Sequence, residues 1–424
     1  MRQFLLVSLF AILLADVMLG LGLSLAPGLS VKNAMLYVLF MALILEFVLT
    51  DRDPLNETWA LHGAWVLLIF YASFTWLAIV LLGLHREYNT VSSFIILKSQ
   101  LADLFLFLLV YLYAPRDSQK SVHVLQWLVA LLVLVNLVTF VDFLNIVDLG
   151  VINERSDGRL TGAVREVNQY GAVLVVLIPL TVGLMLGSSG ALKLLYAIGA
   201  AMAVVLLGLT VSRGSYVGLV VGVMIALYLA RHHVRRQAIV KGAILAVVVV
   251  AIAGLSVAIV NPEGFLDKFN FAGLDVNNIS SGRLDVWRRL LTKMSYWPVS
   301  FLTGYGWNAY PVLIGIYGDP HNTYLLYLFN LGVIGFGLYV FIVIWIIRYV
   351  IKSLNYISEE LKPLVIGFVT GFISVHVAVF FVAIYTPWLF IWALTGTTLR
   401  IIVDERRKKA IEAMEGDQHD EVGA

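Results

Sequence analysis

The chain of 424 residues contains no cysteine, and only 13% of it is charged. Without cysteine there is no disulfide framework, no thiolate metal site and no cysteine nucleophile. Soluble domains carry about 25% charged residues, so much of the usual polar surface is missing. Hydrophobic residues make up 60% of the chain, a share that a soluble protein of this length has no way to hide. The formal net charge of +2 is too small to make nucleic acid the main partner. HExxH, P-loop and GxSxG patterns are absent from the sequence, which removes the common zinc, nucleotide and serine-hydrolase signatures. No internal repeat is present. What remains is the composition of an integral membrane protein.

A helix needs about 20 apolar residues to cross the hydrocarbon layer. Twelve stretches qualify as candidate spans: 4–25, 34–49, 59–84, 91–113, 122–141, 170–186, 194–211, 216–230, 243–260, 324–347, 364–382 and 388–403. The first is too long for a signal-peptide core and reads as an uncleaved anchor. The fourth carries Lys98, Gln100 and Asp103 and departs furthest from an ordinary span. The expected fold is all-α and polytopic, one membrane domain over residues 1–424.

Loop lysines and arginines orient the bundle. Arg231, Arg235, Arg236 and Lys241 form one cluster, Arg348, Lys352 and Lys362 a second, and Arg400 with Arg406, Arg407, Lys408 and Lys409 a third. All fall on one side of a twelve-span layout, which places both termini and the tail 404–424 in the cytoplasm. His232-His233 falls on that inner side, away from the outer arginines. Two outer connections are long, 142–169 and 261–322, and connections of that length are usually functional or disordered.

The second long segment holds Ser280-Ser281-Gly282-Arg283-Leu284-Asp285-Val286-Trp287 and continues to Met294. Serine and glycine ahead of a helical pattern mark a helix start. At about 100° per residue, Leu284, Val286, Trp287, Leu290, Leu291 and Met294 form one apolar arc. Asp285, Arg289 and Lys293 lie opposite and Arg288 at the border, so the helix suits a membrane interface. Arg283 projects from the apolar arc. It is either a guanidinium snorkelling to water or one aimed at a phosphate, which its planar fork grips bidentately.

Arg213 lies in Thr210-Val211-Ser212-Arg213-Gly214-Ser215, with almost no loop between two spans. An ionisable group so close to a tight helical hairpin points to function. Arg159 and Arg165 neighbour Glu154, Asp157 and Glu166, with which ordinary ion pairs are the simpler expectation. His321 opens the tenth span in Asp319-Pro320-His321-Asn322-Thr323, after the glycine-flanked Gly304-Tyr305-Gly306. Imidazole is the usual general base near neutral pH. The intramembrane Asp16, Glu46, Asp103 and His376 either pair within the bundle or line an ion path.

Taken in order, Ser212-Arg213-Gly214, the Ser-Gly-Arg run ending at Arg283 with Trp287 behind it, Gly304-Tyr305-Gly306, and His321-Asn322 followed by Leu325 resemble the O-antigen ligase and polymerase superfamily. One departure is Val167, where many relatives carry proline before the residue matching Asn168. The resemblance implies a GT-C-like, metal-independent glycosyltransferase with a helical periplasmic segment, at the periplasmic face of the bacterial inner membrane, using no cofactor. Its donor would be a glycan on undecaprenyl pyrophosphate and its acceptor a lipid A–core oligosaccharide. For a polymerase, the acceptor is another repeat unit. The resemblance makes His321 the base. It makes Arg213 and Arg283 the pyrophosphate ligands, with Arg159, Arg165 and Asn322 as further substrate contacts. A transporter or lipid-linked glycan flippase is the rival class, since twelve spans suit it, although such proteins usually place polar sites at the bilayer midplane.

Overall fold

The computed structural model describes residues 1–18, 20–50, 55–85, 87–144, 146, 159–233, 282–314, 320–385 and 387–422. Its helices in chain order are α1 (Arg2–Met18), α2 (Val31–Thr50), α3 (Trp59–Leu82), α4 (Thr90–Leu97), α5 (Asp103–Tyr113), α6 (Ser118–Phe143), α7 (Val167–Gly187) and α8 (Gly190–Thr210). They continue as α9 (Arg213–His233), α10 (Arg283–Ser295), α11 (Val299–Thr303), α12 (Tyr310–Ile314), α13 (Thr323–Ser353), α14 (Lys362–Ala378) and α15 (Pro387–Val422). Among the described residues the only sheet is a hairpin of β1 (Ser24–Ala26) and β2 (Leu29–Ser30).

Eight helical stretches among the described residues are long and apolar enough to cross a membrane, and α14 is a shorter apolar helix beside them. The protein is an all-α, multi-pass membrane protein. In lipid every backbone amide must bond internally, which is why apolar runs become helices here. Span 243–260 lies outside the described residues, and the full count of twelve remains an expectation. The first span is shorter than its apolar run: α1 stops at Met18, and the chain then turns through Gly20 and Gly22, both with φ of +58°.

The fourth span departs from regular geometry at its polar residues. A π-helical turn, Lys98–Ala102, joins α4 to α5. Lys98 Nζ pairs with Asp103 at 2.8 Å. Asp16 pairs with Lys32, and Glu46 bonds Arg2 at 2.7 Å. The His376 imidazole Nδ1 lies 2.7 Å from the Phe372 carbonyl. Each ionisable group that could have belonged to an ion path thus has a local partner, which favours the pairing reading.

α14 sits at the centre, against both α7 and α9. Gly183, Gly367 and Gly371 leave no room for a Cβ between α7 and α14, and Gly218 and Gly222 of α9 lie equally close to Ser374. Lipid chains are as apolar as leucine, so helix association rests on such close approach rather than on hydrophobic burial. These close approaches set the position of α9 against α14.

α13 is broken rather than continuous. Gly332 takes φ +62° and ψ −167°, a conformation essentially restricted to glycine. The carbonyls of Phe329 and Asn330 accept instead from Tyr305 N at 2.8 Å and Gly306 N at 2.9 Å. Gly304-Tyr305-Gly306 is therefore a backbone plug for an interrupted membrane helix, which is how non-helical backbone is tolerated at such depth. Replacing Gly332 with alanine sets a Cβ against the Leu302 carbonyl. We expect a loss of about 2 kcal/mol or more from strain alone, read as a lowered thermal midpoint in detergent.

Candidate active site

The α8–α9 hairpin turns in two residues. Val211 takes φ +49°, an outlier for a β-branched residue, and its surroundings hold it there. Its N–H donates to Gly208 O at 3.0 Å. Arg159 donates from Nε to Thr210 O at 3.0 Å and from Nη2 to Val211 O at 3.3 Å. A guanidinium on the last carbonyls of a helix satisfies orphan acceptors and meets the negative end of the helix dipole. Arg159 therefore cements the turn that presents Arg213, the first residue of α9. Of the acidic neighbours expected for it, Glu154 and Asp157 lie outside the described residues.

Glu166 caps α7, its carboxylate accepting from Gln169 N at 2.6 Å and Asn168 Nδ2 at 3.1 Å. Asn168 Oδ1 in turn accepts from Ser212 Oγ at 3.3 Å, tying the start of α7 to the start of α9. Val167, the departure from the proline of relatives, is the first helical residue of α7, where proline's missing N–H costs nothing. The hydrogen-bonded Glu166 cap supplies the helix start in its place.

Arg283 begins α10 behind Gly282. The inward face of this helix reads Arg283, Val286, Trp287, Leu290 and Met294, with the last two fully buried. Arg288 and Arg289 are exposed as the pattern predicts, and the arc edges Leu284 and Leu291 are exposed as well. The Arg283 guanidinium is held below the ordinary arginine range, first by burial and then by the nearby charges of Arg213 and Arg159, with Glu166 opposing. Three arginines separated by up to 124 positions in sequence thus share one electrostatic neighbourhood. Arg165 stands apart from them. It is exposed, with φ +60°, and its guanidinium packs over Gly20.

His321 also has a left-handed backbone, φ +49°. The next residue, Asn322, is buried and caps α13, accepting from Leu325 N at 3.0 Å. That bond explains the spacing of His321-Asn322 and Leu325: the asparagine must reach the amide three residues on. Thr323 anchors the same end, its N–H donating to Val379 O at 3.0 Å and its hydroxyl to Val382 O at 3.2 Å. Between those carbonyls lies Phe381, whose side chain packs on Gly214 beside Arg213. The indole of Trp287 donates to Pro320 O at 2.9 Å. The arginine group and His321 are therefore joined by two routes, one through α10 and one through Phe381. Losing the cap in Asn322→Ala should lower stability by about 1 kcal/mol, measured by thermal unfolding, with the donor affinity little changed.

Residues 197–340 match the family described as O-antigen ligase. The match supports membership of the O-antigen ligase and polymerase superfamily. It contains Arg213, Arg283, His321 and Asn322, whereas Arg159 and Arg165 precede it. That family implies a glycan-processing membrane enzyme with lipid-linked glycan substrates. No curated protein matches the chain.

Sequence reasoning named Glu166 beside Arg159 and Arg165 but missed it as the charge opposing the other arginines at Arg283, and missed the indole tether from Trp287 and the role of Phe381. Only Glu166 carried a local signal, a carboxylate three residues before the amide it caps.

Proposed function

We propose that the protein is an O-antigen ligase of the bacterial inner membrane, GT-C-like in plan, acting at the periplasmic face with both termini in the cytoplasm. It transfers a glycan from undecaprenyl pyrophosphate to a lipid A–core oligosaccharide. The observation that carries the reading is the convergence of Arg159, Arg213 and Arg283 at the end of the bundle where His321 precedes the capped start of α13.

The acceptor hydroxyl attacks the anomeric carbon of the donor glycan. His321 takes the hydroxyl proton as the new C–O bond forms, and the bond between anomeric carbon and pyrophosphate oxygen breaks. Undecaprenyl pyrophosphate leaves with the bonding electron pair. Negative charge grows on the leaving oxygen, so fixed guanidinium groups stabilise the transition state more than the ground state. Arg213 and Arg283 bind the two phosphates. Arg159 holds the Arg213 turn and adds a third positive charge, while the exposed Arg165 meets the glycan further out. The amino ends of α9 and α13 lie at the same place, and helix amino termini favour anions.

The test is transfer by the purified protein in detergent, given lipid-linked donor and lipid A–core acceptor. Product without a sealed membrane supports the enzyme and excludes a flippase. Product only with a second repeat unit as acceptor reassigns it as a polymerase. No product with either acceptor overturns the reading.

A further inference from the structure

A second site is linked to the arginine group through hydrogen bonds that run by way of Gln169 to Glu166. A cavity of about 260 Å³ is bounded by the β1–β2 hairpin, the start of α2, the π-helical turn Lys98–Ala102 and the connection from α14 to α15. Asn33, Lys98, Ser99, Gln100, Asp103 and Tyr385 contribute to its wall. Asp103 is buried and organises one side of it. It accepts from Asn33 Nδ2 at 2.6 Å, the Tyr37 hydroxyl at 2.7 Å and Lys98 Nζ at 2.8 Å. Both lysines at the cavity are matched, Lys98 by Asp103 and Lys32 by Asp16. The wall thus sets polar groups of balanced charge beside the apolar Leu29, Ile95 and Leu389, which suits a neutral sugar ring, with its hydroxyls and its C–H face, better than an anion.

The Gln100 side-chain amide makes no hydrogen bond among the described residues. It offers a donor and an acceptor side by side, the complement of two neighbouring hydroxyls. π-turns are rare and concentrate at functional sites, and this one carries Lys98, Ser99 and Gln100. The volume is below the roughly 300 Å³ at which ordinary ligand pockets begin, enough for one sugar ring. Tyr385 ties the cavity to the arginines: its N–H donates to Gln169 Oε1 at 3.3 Å, and Gln169 N donates to Glu166, the carboxylate beside Arg283.

We propose that this cavity seats a pyranose ring of the acceptor saccharide, and so determines which acceptor is used. The assignment rests on the transferase reading. Full-length protein in nanodiscs, with each substrate varied in turn while the other is saturating, tests it through Gln100→Ala and the cavity-filling Ser99→Trp. Loss of one ligand hydrogen bond should raise the acceptor KM about tenfold, with the donor KM unchanged. An unchanged acceptor KM in both variants overturns the proposal, as does a change confined to the donor KM, which would place a donor sugar there. Saturation-transfer NMR with methyl glucoside, methyl galactoside and methyl N-acetylglucosaminide supplies an arm that needs no turnover. Binding to the wild type that is lost in Ser99→Trp supports the cavity even if the transferase reading has failed. Absence of binding by all three to the wild type counts against the cavity alone.

Discussion

Replacing His321 with asparagine is expected to lower kcat by about 10²–10⁴-fold, the usual contribution of a positioned general base. Asparagine is chosen because residue 321 has φ +49°, and asparagine tolerates that left-handed conformation better than other non-glycine residues. The variant therefore removes the imidazole while keeping the backbone that starts α13. Donor affinity and thermal midpoint should stay near wild type. His321→Ala should lose activity to the same degree with some added loss of stability from backbone strain. Undiminished transfer by a folded His321→Asn protein would remove the histidine from the chemistry.

The arginine group leads to an expectation of opposite sign for two measurements on one variant. Arg283 lies near Arg213 and Arg159, with Glu166 the opposing charge. Mutual repulsion in a half-buried place opposes folding until an anion arrives. Arg283→Gln should therefore leave the thermal midpoint unchanged or raise it, while weakening binding of undecaprenyl pyrophosphate about 10–100-fold, the worth of one or two charge-assisted hydrogen bonds. A purely structural arginine would show the reverse: lowered stability with affinity intact. Added undecaprenyl pyrophosphate should raise the wild-type midpoint more than that of the variant, since a ligand stabilises the state it binds.

What could be read from the chain alone follows from the range of each interaction. Spanning helices were legible because hydropathy is local, and all eight stretches long and apolar enough among the described residues coincide with expected spans. The place of Arg283 within the apolar arc was legible too, since helical faces repeat over a few positions, whereas Asn322 read only as a substrate contact and its capping bond to Leu325 N emerged from the structure. Hydropathy does not report backbone dihedrals, so the early end of α1 and the break at Gly332 were not. The meeting of Arg159, Arg213 and Arg283 depends on how α7, α9 and α14 pack through their glycines, a long-range property. Lys98 and Asp103 looked like blemishes in a span, yet together they stabilise the irregular turn that interrupts it.

The stretch 379–385 connects α14 to the start of α15 and does more than link them. Val379 and Val382 hold Thr323, Phe381 packs on Gly214, and Tyr385 bonds Gln169. One short backbone run therefore acts as a common rail for histidine, guanidinium groups and cavity. A displacement of that rail shifts all three together, so paired substitutions drawn from different clusters should show non-additive effects despite lacking direct contact.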